Sequence, residues 1–223
     1  MRHALIHHRT DLSTIASWAM FSRGLQPEFP TAVQQQVARL KGPALEQDSR
    51  IRDLSALPWC SIDNDDSQDL DQLTVGEALA HGRVRLFVAV ADVDALVKKG
   101  SPIDEHARIN TTSVYTSARV FPMLPERLSH DLTSLNPDQE RLAVVCEMEF
   151  SDDGILTASV IYRARVRNQA QLAYDAVSDW LEDQGELPAA ARRVAGLDAQ
   201  LHLQDALAQK LRVLRRAEGS LEF

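Results

Sequence analysis

Ser61–Thr74 reads SIDNDDSQDLDQLT. Asp63, Asp65, Asp66, Asp69 and Asp71 fall within nine consecutive positions, with no basic residue among them. Leu57, Trp59 and Ile62 precede the run, and Leu70, Leu73 and Val75 follow it, so strand-forming residues frame a dense set of acids. Carboxylates this crowded repel one another, and each becomes harder to ionise unless something positive sits among them. A divalent cation is the natural neutraliser, because hard ions such as magnesium prefer oxygen-rich surroundings. A charged turn is the alternative. The run also partly mimics an EF-hand calcium loop, but such a loop needs Gly at its sixth position and Glu at its twelfth. Here Gln68 and Thr74 occupy those places.

The 223 residues leave room for one large domain, or for a domain with an appendage. A hydrophobic share of 44% and a charged share of 25% are ordinary for a globular chain. Cys60 and Cys146 lie in apolar, strand-like runs, as expected of buried thiols in a reducing compartment. The N-terminal MRHALIHHRTDL lacks the apolar core of a signal peptide. No stretch reaches the ~18 apolar residues of a membrane span, so a cytoplasmic monomer is expected. A net charge of −8 and a pI near 5.3 argue against a protein that coats nucleic acid. They leave room for an enzyme acting on nucleic acid through a neutralised acidic site.

Residues 1 to about 45 read as helical. Asp11 or Thr10 can cap a first helix through Ile15, Trp18, Met20 and Phe21, stopped by Gly24. After a Pro-bounded loop, Thr31 is expected to cap a second helix through Val33, Val37 and Leu40. The pair reads as a packing appendage, with half of a helix-turn-helix as the alternative. From Arg52 the texture changes to strands. Val84–Val93, VRLFVAVADV, reads as a strand buried on both faces, with Asp92 and Asp94 as caps at its end. Ile103–Ile109 reads as a short helix. Leu142–Phe150, the turn SDDG and Ile155–Arg167 predict a β-hairpin. Its returning strand alternates Tyr162, Ala164 and Val166 with Arg163, Arg165 and Arg167, giving one apolar face and one basic one. The basic row reads as a solvated face, or else as a track for RNA. Gln169–Asp183 and Leu197–Ala217 carry helical spacing, and Leu221 and Phe223 look like the start of another strand. His81, His106 and His130 lack metal-ligand spacing and are expected at polar surface positions.

Taken in order, these segments resemble the RNB catalytic domain of the ribonuclease II/R family of exoribonucleases. The family's hallmark resembles I-D-P-x-D-A-x-D-x-D-D-A, and the chain reads I-D-N-D-D-S-Q-D-L-D-Q-L from Ile62. VAVADVD (Val88–Asp94), GSPIDEHARINTTSVY (Gly100–Tyr115), FPMLPERLS (Phe121–Ser129), DLTSLNPDQERLA (Asp131–Ala143) and AQLAYDAVSDWLE (Ala170–Glu182) are similar to the blocks that follow. Ordered blocks of this kind are far more specific than any single motif.

The resemblance implies a mixed α+β fold. A helical N-terminal segment over residues 1–50 would precede the first part of an RNB domain over 51–223, with a mostly antiparallel sheet and packed helices. It also implies a magnesium-dependent 3′-5′ exoribonuclease that hydrolyses single-stranded RNA to nucleoside 5′-monophosphates. Carried over by position, Asp63, Asp69 and Asp71 fall on three of the family's four active-site aspartates, as catalytic residues and metal ligands. The fourth position holds Gln72, a neutral amide that can still offer its oxygen to a metal. Tyr115 falls where an aromatic packs on the terminal base, with a ring packed at a domain surface as the alternative, and Arg119 and Arg127 are candidate phosphate contacts or else salt-bridge partners of the many carboxylates. The family's domain runs further than Phe223, so a fragment is expected, and a catalytically impaired RNA-binding relative is the alternative reading.

Overall fold

The computed structural model describes residues 9–44 and 48–219. In chain order its elements are α1 (Arg9–Ser22), α2 (Thr31–Arg39), β1 (Arg52–Asp53), β2 (Cys60–Asp63), β3 (Gln72–Ala78) and β4 (Val84–Ala91). They continue through α3 (Pro102–Asn110), β5 (Val114–Tyr115), β6 (Val120–Phe121), β7 (Glu140–Phe150), β8 (Leu156–Arg167) and β9 (Ala170–Ala173). Helices α4 (Tyr174–Leu181), α5 (Ala189–Arg192) and α6 (Leu197–Ala217) complete them. The strand expected at Leu221–Phe223 lies outside the described residues.

The chain forms two compact units, Met1–Pro43 with Val93–Leu132, and Ala44–Asp92 with Thr133–Phe223. Residues 93–132 cluster with the N-terminal helices.

The second unit is built on a seven-stranded sheet of order β1-β8-β7-β4-β3-β2-β9. Its pairs are antiparallel except β1 with β8 and β2 with β9. Alternation along the strands gives the sheet two apolar faces. One carries Trp59, Leu73, Val75, Phe87, Ala89, Val145 and Val166 in a single buried cluster closed by Leu135. The other is covered at one side by α4 and α5, through Cys60, Leu172, Val177 and Ala191. At its far end Leu207 of α6 packs on Val84 and Phe150. The hairpin between β7 and β8 forms as its sequence demands. Gly154 takes φ +80°, and Ser151 and Ile155 close the turn through a 2.9 Å backbone bond.

The structure corrects several local expectations. Gln169–Asp183 is not one helix, because Ala170–Ala173 pairs in parallel with Cys60–Asp63 before α4 begins. Ala170 and Leu172 alternate inward, a two-residue period hidden inside a helical one. Thr31 is the first residue of α2 rather than its cap; Pro30 holds that place and offers no side-chain bond. β4 is not buried on both faces throughout, since Val90 is 48% exposed beyond the reach of α6. Asp92 is no cap: it is buried and accepts a 2.6 Å bond from Arg163 Nε.

In the first unit, Val33, Val97, Ile103, Leu128 and Leu132 form a separate core. His106, expected at the surface, is 3% exposed. Its Nδ1 lies 2.9 Å from Gln26 Oε1, its Nε2 lies 3.1 Å from Asn110 Nδ2, and its ring leans on Phe29.

Candidate functional site

The aspartate run forms the connection between β2 and β3, so its backbone is tied to the sheet at both ends. Asp63 is the last residue of β2 and pairs with Ala173 of β9. Leu70 is buried at 2% exposure and anchors the other end. Its N–H donates to Ser134 Oγ at 3.1 Å, and its carbonyl accepts from Leu135 N at 2.7 Å. The carbonyl of Asp71 accepts from Ala91 N at 2.9 Å. With Leu70 held inward, Asp69 and Asp71 flank it on the exposed side. Asp63 Oδ1 accepts from Asn64 N at 2.8 Å and from Ser67 Oγ at 2.9 Å. Asp65 and Asp66 lie exposed at the tip of the loop.

Partial burial, together with the charges of Asp63 and Asp69, pushes the Asp71 carboxyl above the usual carboxylate range, against the pull of a backbone hydrogen bond. Asp63 and Asp69, named from the sequence with Asp71, are thus both within electrostatic reach of it. Among the described residues, no three His, Cys, Asp or Glu side chains are grouped tightly enough to hold a metal ion as they stand. The donor set nevertheless has the chemistry that suits a hard divalent cation: anionic oxygens, no cation among them, and one carboxyl raised by burial and by its like-charged neighbours.

Gln72 does not join them. Residues alternate sides along a strand, and Gln72 follows Asp71 onto the other face of the sheet. There it lines a cavity of about 360 Å³ with Cys60, Ile62, Thr74, Tyr174 and Gln204. Burial raises the Cys60 thiol to about 11, and both Cys60 and Cys146 are free.

The expected RNA-contacting residues lie in the first unit. Tyr115 is 70% exposed. Arg119 is engaged with Glu28 at 2.7 Å and lies over the Phe121 ring at 4.5 Å. Arg127 donates to the carbonyls of Val37 and Leu40 at 3.2 and 2.6 Å, which closes the end of α2. The arginine row of β8 is likewise occupied. Arg163 pairs with Asp92, Arg165 with Asp53 and Glu140, and Arg167 with Asp138. A polar cavity of about 510 Å³ lies beside it, lined by Ser55, Asp138, Glu140, Arg167, Gln169 and Arg193.

Sequence reasoning missed the residues that hold the loop: Ser67, Ser134 and Asn168. Asn168 is 1% exposed and bonds Ser61 Oγ and the Leu135 carbonyl at 3.0 and 2.9 Å. Nothing in their spacing sets these three apart from ordinary loop polar residues.

The RNB domain matches residues 51–223. The chain belongs to the RNB family. Within it, ribonuclease R of Vibrio cholerae is 39% identical over 197 residues, which is 88% of this chain and 24% of that protein. Ribonuclease R of Escherichia coli is 43% identical over 160 residues, covering 71% of this chain and 20% of the relative. The RNB chain therefore spans about a quarter of the length of the curated relatives it matches. Ribonuclease R of Mycoplasma genitalium, solved in complex with double-stranded RNA, superposes with a TM-score of 0.83 at 30% identity. That match covers 95% of this chain and 37% of the other, and the same protein is also solved with ribose-methylated single-stranded RNA. The mixed α+β architecture, with its mostly antiparallel sheet, is the RNB fold. Among the described residues, no helix is long and apolar enough to cross a membrane.

Proposed function

We propose that the loop between β2 and β3 is the catalytic centre of a magnesium-dependent 3′-5′ exoribonuclease that shortens single-stranded RNA to nucleoside 5′-monophosphates. The observation that carries this reading is the gathering of Asp63, Asp69 and Asp71, where partial burial and the charges of the other two raise Asp71, in a chain of the RNB family. The RNA complexes of the Mycoplasma genitalium relative support it.

Magnesium, when bound, polarises the phosphodiester and neutralises the charge that develops on its oxygens. Asp63 and Asp69 would hold the ion. Asp71, beside Asp69 on the exposed side of Leu70, would join them as a ligand or position the attacking water. The cavity beyond Gln72 is large enough for a nucleoside, and Tyr174 at its rim is 54% exposed. Tyr115 offers an open ring on which a base of any identity can stack. Arg127 is committed to the end of α2, so we assign it to the fold. We place the protein in the cytoplasm as a monomer.

A second reading, a catalytically impaired RNA-binding relative, is favoured by Gln72, which brings no charge and faces away from the carboxylates. A gel time course on 5′-labelled single-stranded RNA, with magnesium or with EDTA, tests both. A magnesium-dependent ladder shortening from the 3′ end is expected, with at least ~100-fold slower turnover in Asp71→Asn and RNA binding retained. RNA binding without cleavage under either condition would establish the second reading. Unchanged turnover in Asp71→Asn would overturn the assignment.

A further inference from the structure

β8 starts at Leu156, but β1 pairs with it only at Ala164 and Arg165. The stretch LTASVI (Leu156–Ile161) therefore has β7 on one side and, among the described residues, no strand on the other. The ladder fixes where its backbone groups point. Arg165 gives its carbonyl to Leu54 N at 2.9 Å, on the β1 side. Leu142, opposite Arg165 on β7, gives its own carbonyl to Asp92 N at 3.1 Å, away from β8. Alternate residues of an antiparallel pair repeat this arrangement, so Ser159 and Ile161 turn N–H and C=O outward. The register shift between β7 and β8 falls at the Glu149/Phe150 end and leaves both in the regular part.

Folded proteins blunt such edges with charge, with Pro or with cover. LTASVI holds no charged residue, no Pro and no Gly. Leu156, Val160 and Ile161 are 51%, 45% and 69% exposed, and Val160 and Ile161 point to opposite faces of the sheet. Outward donors and acceptors at strand spacing are matched by another extended main chain, which neither a helix nor a lipid surface supplies. A charge set beside Val160 or Ile161 would lose hydration without a counter-ion. The free edge is also bounded. β1 takes it from Ala164 onward, with Arg52 stacked on Tyr162 at 3.6 Å. At the other end α6 holds the hairpin turn, through Lys210 Nζ on the Asp152 carbonyl at 2.7 Å. A second copy paired antiparallel about Ser159 would drive its own turn and α6 onto β1, whereas a free segment brings neither. We propose that the outer edge of β8 over Leu156–Ile161 takes up, as an added strand, an extended, uncharged aliphatic segment of a partner protein. Backbone bonds supply the affinity, and Val160 and Ile161 select β-branched side chains on the two faces.

The test is fluorescence anisotropy of a labelled, capped peptide of alternating Val and Thr, about eight residues long, titrated with the chain. Saturable binding is expected, with slowed amide exchange at Ser159 and Ile161. Ile161→Lys, at an exposed position, should weaken binding at least ~10-fold without a change in melting. Ser159→Pro removes one outward N–H and should do the same, while Ser159→Ala, which keeps it, should bind as the wild type does. The peptide N-methylated throughout should not bind. No saturable binding by the wild type, full binding in Ile161→Lys and Ser159→Pro, or binding of the N-methylated peptide would overturn the proposal. So would slowed exchange elsewhere in place of these two amides, or a loss in Ile161→Lys matched by a drop in melting temperature. A dimer in sedimentation that Ile161→Lys dissolves would assign the edge to a second copy, and overturn it as well.

Discussion

At the residue scale, two ionisable groups show how the same physics serves different ends. Asp71 is raised by burial and by like charge, and the density of acids in the sequence already pointed to it. His106 is shifted by burial alone, downward from the ordinary 6.5, and nothing in the sequence announced it. Its neutral ring is matched on both nitrogens: Nδ1–H donates to Gln26, and Nε2 accepts from Asn110. A second ring proton would face the Asn110 amide, which is also a donor. The folded state therefore binds the proton less readily than the unfolded chain does. Stability should be whole above about pH 6.5 and fall as the pH drops from there toward the lower folded value. Urea unfolding midpoints from pH 8 to pH 5 check this. The decline should be clearly shallower in His106→Gln; an equal decline in both proteins would place its cause elsewhere.

At the scale of elements, the hairpin and α6 were legible because each repeats one period over more than ten residues. The short elements were not. Four residues of β9 are too few to show their alternation against the helix that follows, and only the parallel pairing with β2 makes them a strand. The loop was legible in its chemistry and illegible in its support, since Ser134 and Leu135 reach Leu70 from far along the chain. A tighter constraint lies at Gly82. It holds φ +69°, and a Cβ there would come within 2.7 Å of the Asp152 carboxyl, which is paired with Lys210. Gly82→Ala should cost at least ~1 kcal/mol through left-handed strain alone, with more from displacing Asp152. Chemical denaturation measures it, and a neutral result would mean that the turn relaxes freely.

At the scale of the whole molecule, two buried clusters share no residue: one around Ile103 and Leu128, the other around Trp59 and Leu73. Calorimetry should accordingly resolve two transitions. Ile103→Ala should lower one and Leu73→Ala the other, by about 2–5 kcal/mol each; a single transition moved by both substitutions would contradict this. The place of residues 93–132 in the chain, between two neighbouring strands of the sheet, has a further consequence. Residues 93–132 leave the sheet after β4 and rejoin it ahead of β7, which are neighbours in the sheet. Ala91 sits opposite Ala143, and Asp92 N–H still reaches the Leu142 carbonyl. The excursion departs and returns through one gate, so the ladder on either side needs nothing from it to stay in register. To evolution or to an engineer, that gate is a splice site, where one forty-residue cassette can be exchanged for another without disturbing the strands that carry the acids.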